Sequence, residues 1–406
     1  MGAPRTRRWQ EQRWLIDNII RTVGPDWDQA RTSYLSAPCG PEGAVDFQLI
    51  RQRIRKFADF APVFEAAARR REEQARAAEE AGQTVTAREN YFIAAIHWAA
   101  AQWPIDENNE TNRFYNQRKL DCYSRYARLA DHHVERVLIP FHGKALPAWF
   151  HLPPGYSGGR LPTVVAIPGM DSFKEMSVAL YGDRWLSRGL AVLAIDGPGQ
   201  YESPLLGVYV TVQNWADAGR IVMDWLAARP EVDPERVGVA GNSFGSLFGT
   251  IMVGAEPRYR ACAVSAVIHE PGCHTIFEEA SPTFKERFMY MAGYENEAEF
   301  DAFAKTLTWE GWAEQIRCPY LCLAGEADEL SPLEHSERLI ATLRVPKLLV
   351  VYQEARHGLS ESPSVLLGPS PRTLMADWMA ARLAGQPFPS EKWYVDLSGR
   401  VKRTPL

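Results

Sequence analysis

From residue 133 onward, short apolar runs alternate with helical patterns, and this alternation constrains the fold more than any other feature of the chain. The runs lie at 163–167, 191–195, 237–240, 261–267, 320–324 and 348–352, each followed by a helical stretch. Strands buried on both faces read as continuous apolar runs, so the pattern predicts an α/β fold with a mostly parallel sheet and helices on both faces. Ahead of them, 134–141 and 146–152 read as an antiparallel hairpin turning at His142-Gly143-Lys144. One stretch breaks the rhythm. Residues 268–316 carry no strand signal and are rich in aromatics, from Phe277 and Phe284 to Trp309 and Trp312, which predicts a helical lid inserted between two strands.

The first 132 residues differ in kind. They are rich in Ala, Arg and Glu, show no strand signal, and form a separate helical segment ahead of a core spanning 133–406. Helices are expected over 47–60 and 63–81, with Pro62 opening the second. A capping box at Thr86-Ala87-Arg88-Glu89 is expected to start a helix over 90–101, which carries Tyr91, Phe92, Ile96 and Trp98 and stops before Pro104. A further helix is expected over 109–130.

Composition excludes several functions. A net charge of −5 without a concentrated basic stripe argues against nucleic-acid binding. No run approaches 18 consecutive apolar residues, so no membrane-spanning helix is expected. The polar stretch from Met1 to Gln12 lacks the apolar core of a secretory signal, and the six cysteines are scattered, with Cys318 and Cys322 alone close together; buried free thiols and a cytoplasmic location are expected. His269 and His274 lie near one another but lack a third ligand, so no metal is expected, and no cofactor loop has phosphate-binding spacing.

The chemistry is concentrated at the ends of the apolar runs. Val237 to Ala240 leads into Gly241-Asn242-Ser243-Phe244-Gly245 and then a helix. A strand-to-helix turn this sharp has no room for flanking side chains, so its two glycines let the backbone close and raise Ser243 above the sheet. A hydroxyl needs a base, which in this arrangement follows an acid in the chain. The run at 320–324 ends in Gly325-Glu326-Ala327-Asp328, and the run at 348–352 leads to His357-Gly358. Asp328 is therefore the expected orienting acid, with Glu326 and Glu329 as rivals, and His357 the expected base. Backbone N–H groups of Phe244 and of Met170, or Gly169 in its place, are expected to form the oxyanion hole.

Three motifs together, Gly169-Met170-Asp171-Ser172-Phe173-Lys174-Glu175, Asp196-Gly197-Pro198-Gly199-Gln200-Tyr201-Glu202-Ser203 and the Ser243 pentapeptide, resemble one α/β-hydrolase group. That group comprises the fermentation–respiration switch (esterase) proteins, 2,6-dihydroxypseudooxynicotine hydrolase and fungal polyketide-shortening hydrolases. The resemblance implies an α/β-hydrolase fold whose N-terminal helices serve as part of a cap. It also implies a Ser243–Asp328–His357 triad, and often scission of a carbon–carbon bond next to a ketone. Tyr201 stands where the group commonly has a small residue. A lid glutamate used by the nicotine-pathway enzyme could correspond to Glu270, Glu278 or Glu279.

The expected function is a cofactor-free serine hydrolase cleaving a C–C bond in an aromatic or polyketide-like substrate. A carboxylesterase or lactonase acting on a bulky apolar ester is the alternative, and a non-catalytic binding protein a remote one. Trp98 and Trp103, at the end of the aromatic helix, are expected to face the substrate together with Tyr201 and Glu270. The expected partner is a small aromatic or apolar molecule, not nucleic acid or membrane, with a homodimer left open.

Overall fold

The computed structural model describes residues 5–406. Six helices come first: α1 (Arg7–Val23), α2 (Arg31–Ser36), α3 (Gly40–Arg53), α4 (Phe60–Glu80), α5 (Thr84–Gln102) and α6 (Glu110–Leu129). Their cores are α4 to α6, where Phe64, Tyr91, Phe92, Ile96, Trp98, Tyr123 and Tyr126 pack together. Two local expectations are corrected here. The helix expected over 47–60 ends at Arg53, because Ile54 is extended and buried, and Asp59 then caps the restart by accepting from the Arg55 and Lys56 amides at 2.9 and 3.1 Å. The capping box at Thr86 does not form: Gly82, at φ 71°, reverses the chain straight after α4, so α5 already begins at Thr84 and places Thr86 inside the helix. The carboxylate of Glu89 instead takes the Tyr181 hydroxyl.

The core follows as β1 (Val134–Phe141), β2 (Lys144–His151), β3 (Leu161–Ile167), β4 (Ala191–Ile195), α7 (Glu202–Leu205), α8 (Val212–Ala227), β5 (Val232–Ser243), α9 (Phe244–Ala255) and β6 (Ala261–Val267). Beyond β6 come α10 (Pro282–Ala292), α11 (Glu297–Ala304), β7 (Tyr320–Gly325), α12 (Leu333–Thr342), β8 (Lys347–Tyr352), α13 (Pro363–Leu367), α14 (Pro371–Leu383), β9 (Glu391–Val395) and β10 (Val401–Pro405). The ten strands form one sheet in the order β1-β2-β4-β3-β5-β6-β7-β8-β9-β10, parallel from β4 to β9 and antiparallel at both margins. Positive φ at both His142 and Gly143 makes the two-residue turn that matches the twist of the β1–β2 hairpin. This is the fold of an α/β-hydrolase, with β5 at its centre.

Helices cover both faces. α8, α9 and α12 pack on one, through Val165, Ile167, Val237, Val239 and Val264, and α14 packs on the other, through Met375, Trp378 and Met379. The strandless stretch after β6 joins the first of these layers by Phe277, Phe284, Phe288 and Phe300. The helical segment meets the core at Trp149, Phe173 and Tyr201, which belong to the same cluster as the α4–α6 interior. Among the described residues, no helix is long and apolar enough to cross a membrane. All six cysteines are unpaired and buried.

Candidate active site

Parallel strands deliver their C-terminal ends to one edge, and the candidate residues collect there. Ser243 closes β5 at φ 55° and ψ −127°, a conformation an L-residue holds at a cost of about 1–3 kcal/mol and which persists only where its surroundings enforce it. The two glycines show the enforcement. A Cβ on Gly241 would lie 2.0 Å from the Gly245 carbonyl oxygen, and one on Gly245 would lie 2.4 Å from that of Ile167. No other residue fits either position.

His357, in the loop after β8, places Nε2 3.0 Å from Ser243 Oγ. Its Nδ1 lies 3.0 Å from Asp328 Oδ2 and 3.2 Å from Oδ1, in the loop after β7. Asp328 is itself held, its Oδ1 accepting from the Leu330 and Ser331 amides at 2.9 and 3.1 Å. With Nδ1–H donating to Asp328, Nε2 presents its lone pair to the serine hydroxyl. Burial pushes the His357 pKa down, but the Asp328 carboxylate, assisted by Glu329 and Asp171, outweighs it and leaves the imidazole above its ordinary value. The rival acids point elsewhere. Glu326 accepts from the Glu354 amide at 3.1 Å and the Tyr394 hydroxyl at 2.9 Å, while Glu329 accepts the backbone N–H of His357 at 3.1 Å.

The loop after β3 runs beside the serine: a Cβ on Gly169 would lie 2.8 Å from Ser243 Cβ. Met170 and Asp171 follow, both buried, and Phe244 opens α9 directly after Ser243, so its N–H is one of the free amides of a helix start.

The remaining expected residues divide. Trp103 reaches this loop, its Nε1 donating to Asp171 Oδ1 at 2.9 Å. Tyr201 also reaches it, donating its hydroxyl to the Asp171 carbonyl at 3.3 Å. Trp98 does not. It donates to Glu72 at 3.3 Å and packs on Phe114 and Tyr115, which makes it a core residue of the helical segment. The candidate glutamates each have a local partner: Glu270 accepts the Thr275 amide at 2.8 Å, Glu278 pairs with Lys285 at 2.6 Å, and Glu279 with His274 at 3.5 Å. His269 turns inward to Ser336 Oγ at 3.0 Å, away from His274.

Sequence reasoning missed a buried ion cluster beside the site. Lys174 Nζ lies 2.8 Å from Asp196, 2.8 Å from Glu202 and 3.0 Å from Glu175. Trp149 donates to Glu175 at 2.9 Å, Arg136 pairs with Glu202 at 2.6 Å, and Lys119 of α6 approaches Glu175 at 3.7 Å. Lys174, Glu175, Asp196 and Glu202 all belong to the motifs behind the family resemblance, so those motifs encode a polar junction between helical segment and core. Their invisibility as a unit is physical: each is an ordinary surface residue type until the fold buries it.

The fold and this site define an α/β-hydrolase. More narrowly, the chain belongs to the FrsA-like esterase family, whose profile matches residues 59–351. It is 28% identical to 2,6-dihydropseudooxynicotine hydrolase of Paenarthrobacter nicotinovorans over 73% of this chain and 77% of that one. It is 27% identical to the α/β-hydrolase ucsC of an Acremonium species over 65% of this chain, a match that spans 56% of the fungal protein. Among solved structures, 2,6-dihydroxy-pseudo-oxynicotine hydrolase superposes with a TM-score of 0.74 over 88% of this chain and 97% of that one at 24% identity, a likeness of fold.

Proposed function

We propose that the chain is a cofactor-free serine hydrolase in which Ser243, His357 and Asp328 act as nucleophile, base and orienting acid, and that it cleaves a carbon–carbon bond next to a ketone. The observation that carries the catalytic reading is the continuous line from Ser243 Oγ through both imidazole nitrogens to Asp328, at 3.0 Å on each side. His357 Nε2 takes the proton of Ser243, or of a water, as the oxygen adds to the ketone carbon. The carbonyl electron pair moves onto oxygen, facing the Phe244 and Met170 amides. Collapse re-forms the carbonyl and breaks the C–C bond, and the departing carbanion, delocalised by a neighbouring carbonyl or aromatic ring, receives the proton held on His357. Where Ser243 is the nucleophile, water then releases the acyl group from it by the same sequence; where water is, collapse yields the free acid directly.

A carbanion leaves less readily than an alkoxide, so this chemistry favours a closed, apolar-walled site. Phe244, the residue after the serine, is in ring contact with Phe277 and Phe288, and Phe277 with Phe300, an apolar cluster that supports such a site. The match to an esterase family supports a second reading, a bulky ester or lactone. The two are separated by comparing kcat/KM for p-nitrophenyl esters with that for aromatic β-diketones and acylated polyhydroxyarenes. Diketone or acylarene cleavage lost in Ser243→Ala is the expected result. Efficient general ester turnover with no diketone cleavage would overturn the C–C reading and leave the triad reading intact.

A further inference from the structure

The loop carrying Met170 is gripped from two sides by different parts of the chain. From the core, Gln200 Nε2 donates to the Pro168 carbonyl at 2.5 Å and the Gly169 carbonyl at 3.4 Å, and Tyr201 donates to the Asp171 carbonyl at 3.3 Å. From the N-terminal helices the grip is on the Asp171 side chain, and it uses both carboxylate oxygens. Trp103 Nε1 donates to Oδ1 at 2.9 Å, and Arg31 Nη2 donates to Oδ2 at 3.0 Å. Arg31 is fixed in turn by Asp28, which accepts from Nη1 at 2.9 Å, and its guanidinium lies 3.8 Å from the centre of the Trp103 ring. All of this is out of solvent: Arg31 is 2%, Trp103 5% and Asp171 7% exposed.

We infer that Arg31 and Trp103 are positioning residues, through which the N-terminal helices hold Asp171 and thereby aim the adjoining Met170 N–H at the developing oxyanion. This rests on the proposed role of Ser243 and its oxyanion hole. A planar guanidinium and an indole N–H arriving at two oxygens of one carboxylate fix its orientation as well as its place. Asp171 directly follows Met170, so a tilt of its peptide is transmitted to the donor within two dihedrals. An oxyanion donor acts only when held within a few tenths of an ångström of its acceptor, and removing one costs about 10²–10³ in rate. Helices remote in sequence from the serine are in this way part of the rate-determining geometry. Among the described residues, the link from Trp103 Nε1 to the core is the one to Asp171.

The test uses the full chain and an alkyl fluorophosphonate, followed by intact mass. Ser243 Oγ forms a bond to phosphorus, fluoride leaves, and the serine proton passes to His357. The phosphonyl oxygen occupies the oxyanion site, so kinact reads donor geometry and KI reads binding. Arg31→Met is expected to lower kinact about 30-fold or more with KI changed less than about threefold, and Arg31→Lys to recover at least about a third of the wild-type kinact. Trp103→Phe keeps an aromatic ring there and deletes the N–H, and should lower kinact about fivefold or more even if Arg31→Met fails to fold. A folded Trp103→Phe or Arg31→Met protein with kinact within twofold of wild type, or with losses confined to KI, would overturn the inference while labelling at Ser243 continues. Absence of labelling in the wild type, or labelling undiminished in Ser243→Ala, would instead remove the serine reading and this inference with it.

Discussion

At the scale of single residues, the candidate triad sets a pH dependence whose sign follows from the structure. His357 serves as a base only when neutral, and its pKa is held up by Asp328, Glu329 and Asp171 against the downward push of burial. The imidazolium therefore persists to higher pH than usual, and the acid limb of kcat/KM is expected above about 6.5. Asp328→Asn removes the main raising charge, so the limb should move to lower pH while kcat falls by about 10³–10⁴ through the wrong tautomer. Glu326→Gln should leave both within about twofold, since Glu326 faces Glu354 and Tyr394 instead of the imidazole. Equal losses in the two variants would show that the acid is misassigned. Ser243→Ala should lower turnover at least about 10³-fold with an unchanged melting temperature. That substitution also relaxes nothing in the backbone, because the positive φ of Ser243 is imposed by the closure of Gly241 on Gly245.

At the scale of elements, the ion cluster makes a sharp contrast between its two lysines. Lys174 touches three carboxylates within 3.0 Å, so Lys174→Met would strand Asp196, Glu175 and Glu202 without their common cation and is expected to cost about 3–5 kcal/mol in urea unfolding. Among the described residues the Lys119 ammonium has no hydrogen-bond partner, it is buried, and burial lowers its pKa. Lys119→Met, of similar volume, should therefore cost less than half as much, and the reverse order would mean that the junction is held chiefly from α6. The same elements show what a sequence makes legible. β3 to β8 could be read because the central stretch of each, buried on both faces, is a nearly continuous apolar run. β9 and β10 could not, because at the sheet margin β9 is half-exposed and β10 mostly exposed, and they read as Glu391-Lys392-Trp393-Tyr394-Val395 and Val401-Lys402-Arg403-Thr404-Pro405. The candidate triad was legible because each proposed member follows a readable strand in the chain order the fold demands. Arg31 and Asp171, 140 residues apart, carry no such local mark, and only tertiary packing makes an ion pair of them.

At the scale of the whole molecule, the question is whether the first 130 residues are an appendage or part of the site. Besides the apolar contacts at Trp149, Phe173 and Tyr201, charged and polar groups join the N-terminal helices to the core and would lose their partners without them. Glu286 of α10 accepts from the Arg5 and Thr6 amides at 2.8 and 3.0 Å and from the Thr6 hydroxyl at 3.0 Å. Arg287 pairs with Asp106 at 2.8 Å, Arg8 donates to the Phe277 and Ala280 carbonyls at 3.0 and 2.7 Å, and Asn108 accepts from the Tyr290 hydroxyl at 2.9 Å. The strandless stretch after β6 is thus tied to the N-terminal segment along α10 as well as to the sheet beneath it. A 131–406 fragment would expose Trp149, Phe173 and Tyr201, leave Glu286 and Arg287 without their main partners, and free the Asp171 carboxylate beside the serine. Exposed apolar surface of that kind drives association, and unpaired charges at its edge weaken what remains. The fragment is expected to be aggregated, or folded but unreactive towards a fluorophosphonate, and supplying residues 1–130 in trans should restore labelling if they fold. A monomeric 131–406 fragment labelled at the full-length rate would show that the helical segment contributes nothing to the site, since a bare sheet edge would then suffice to place both the serine and its oxyanion donors.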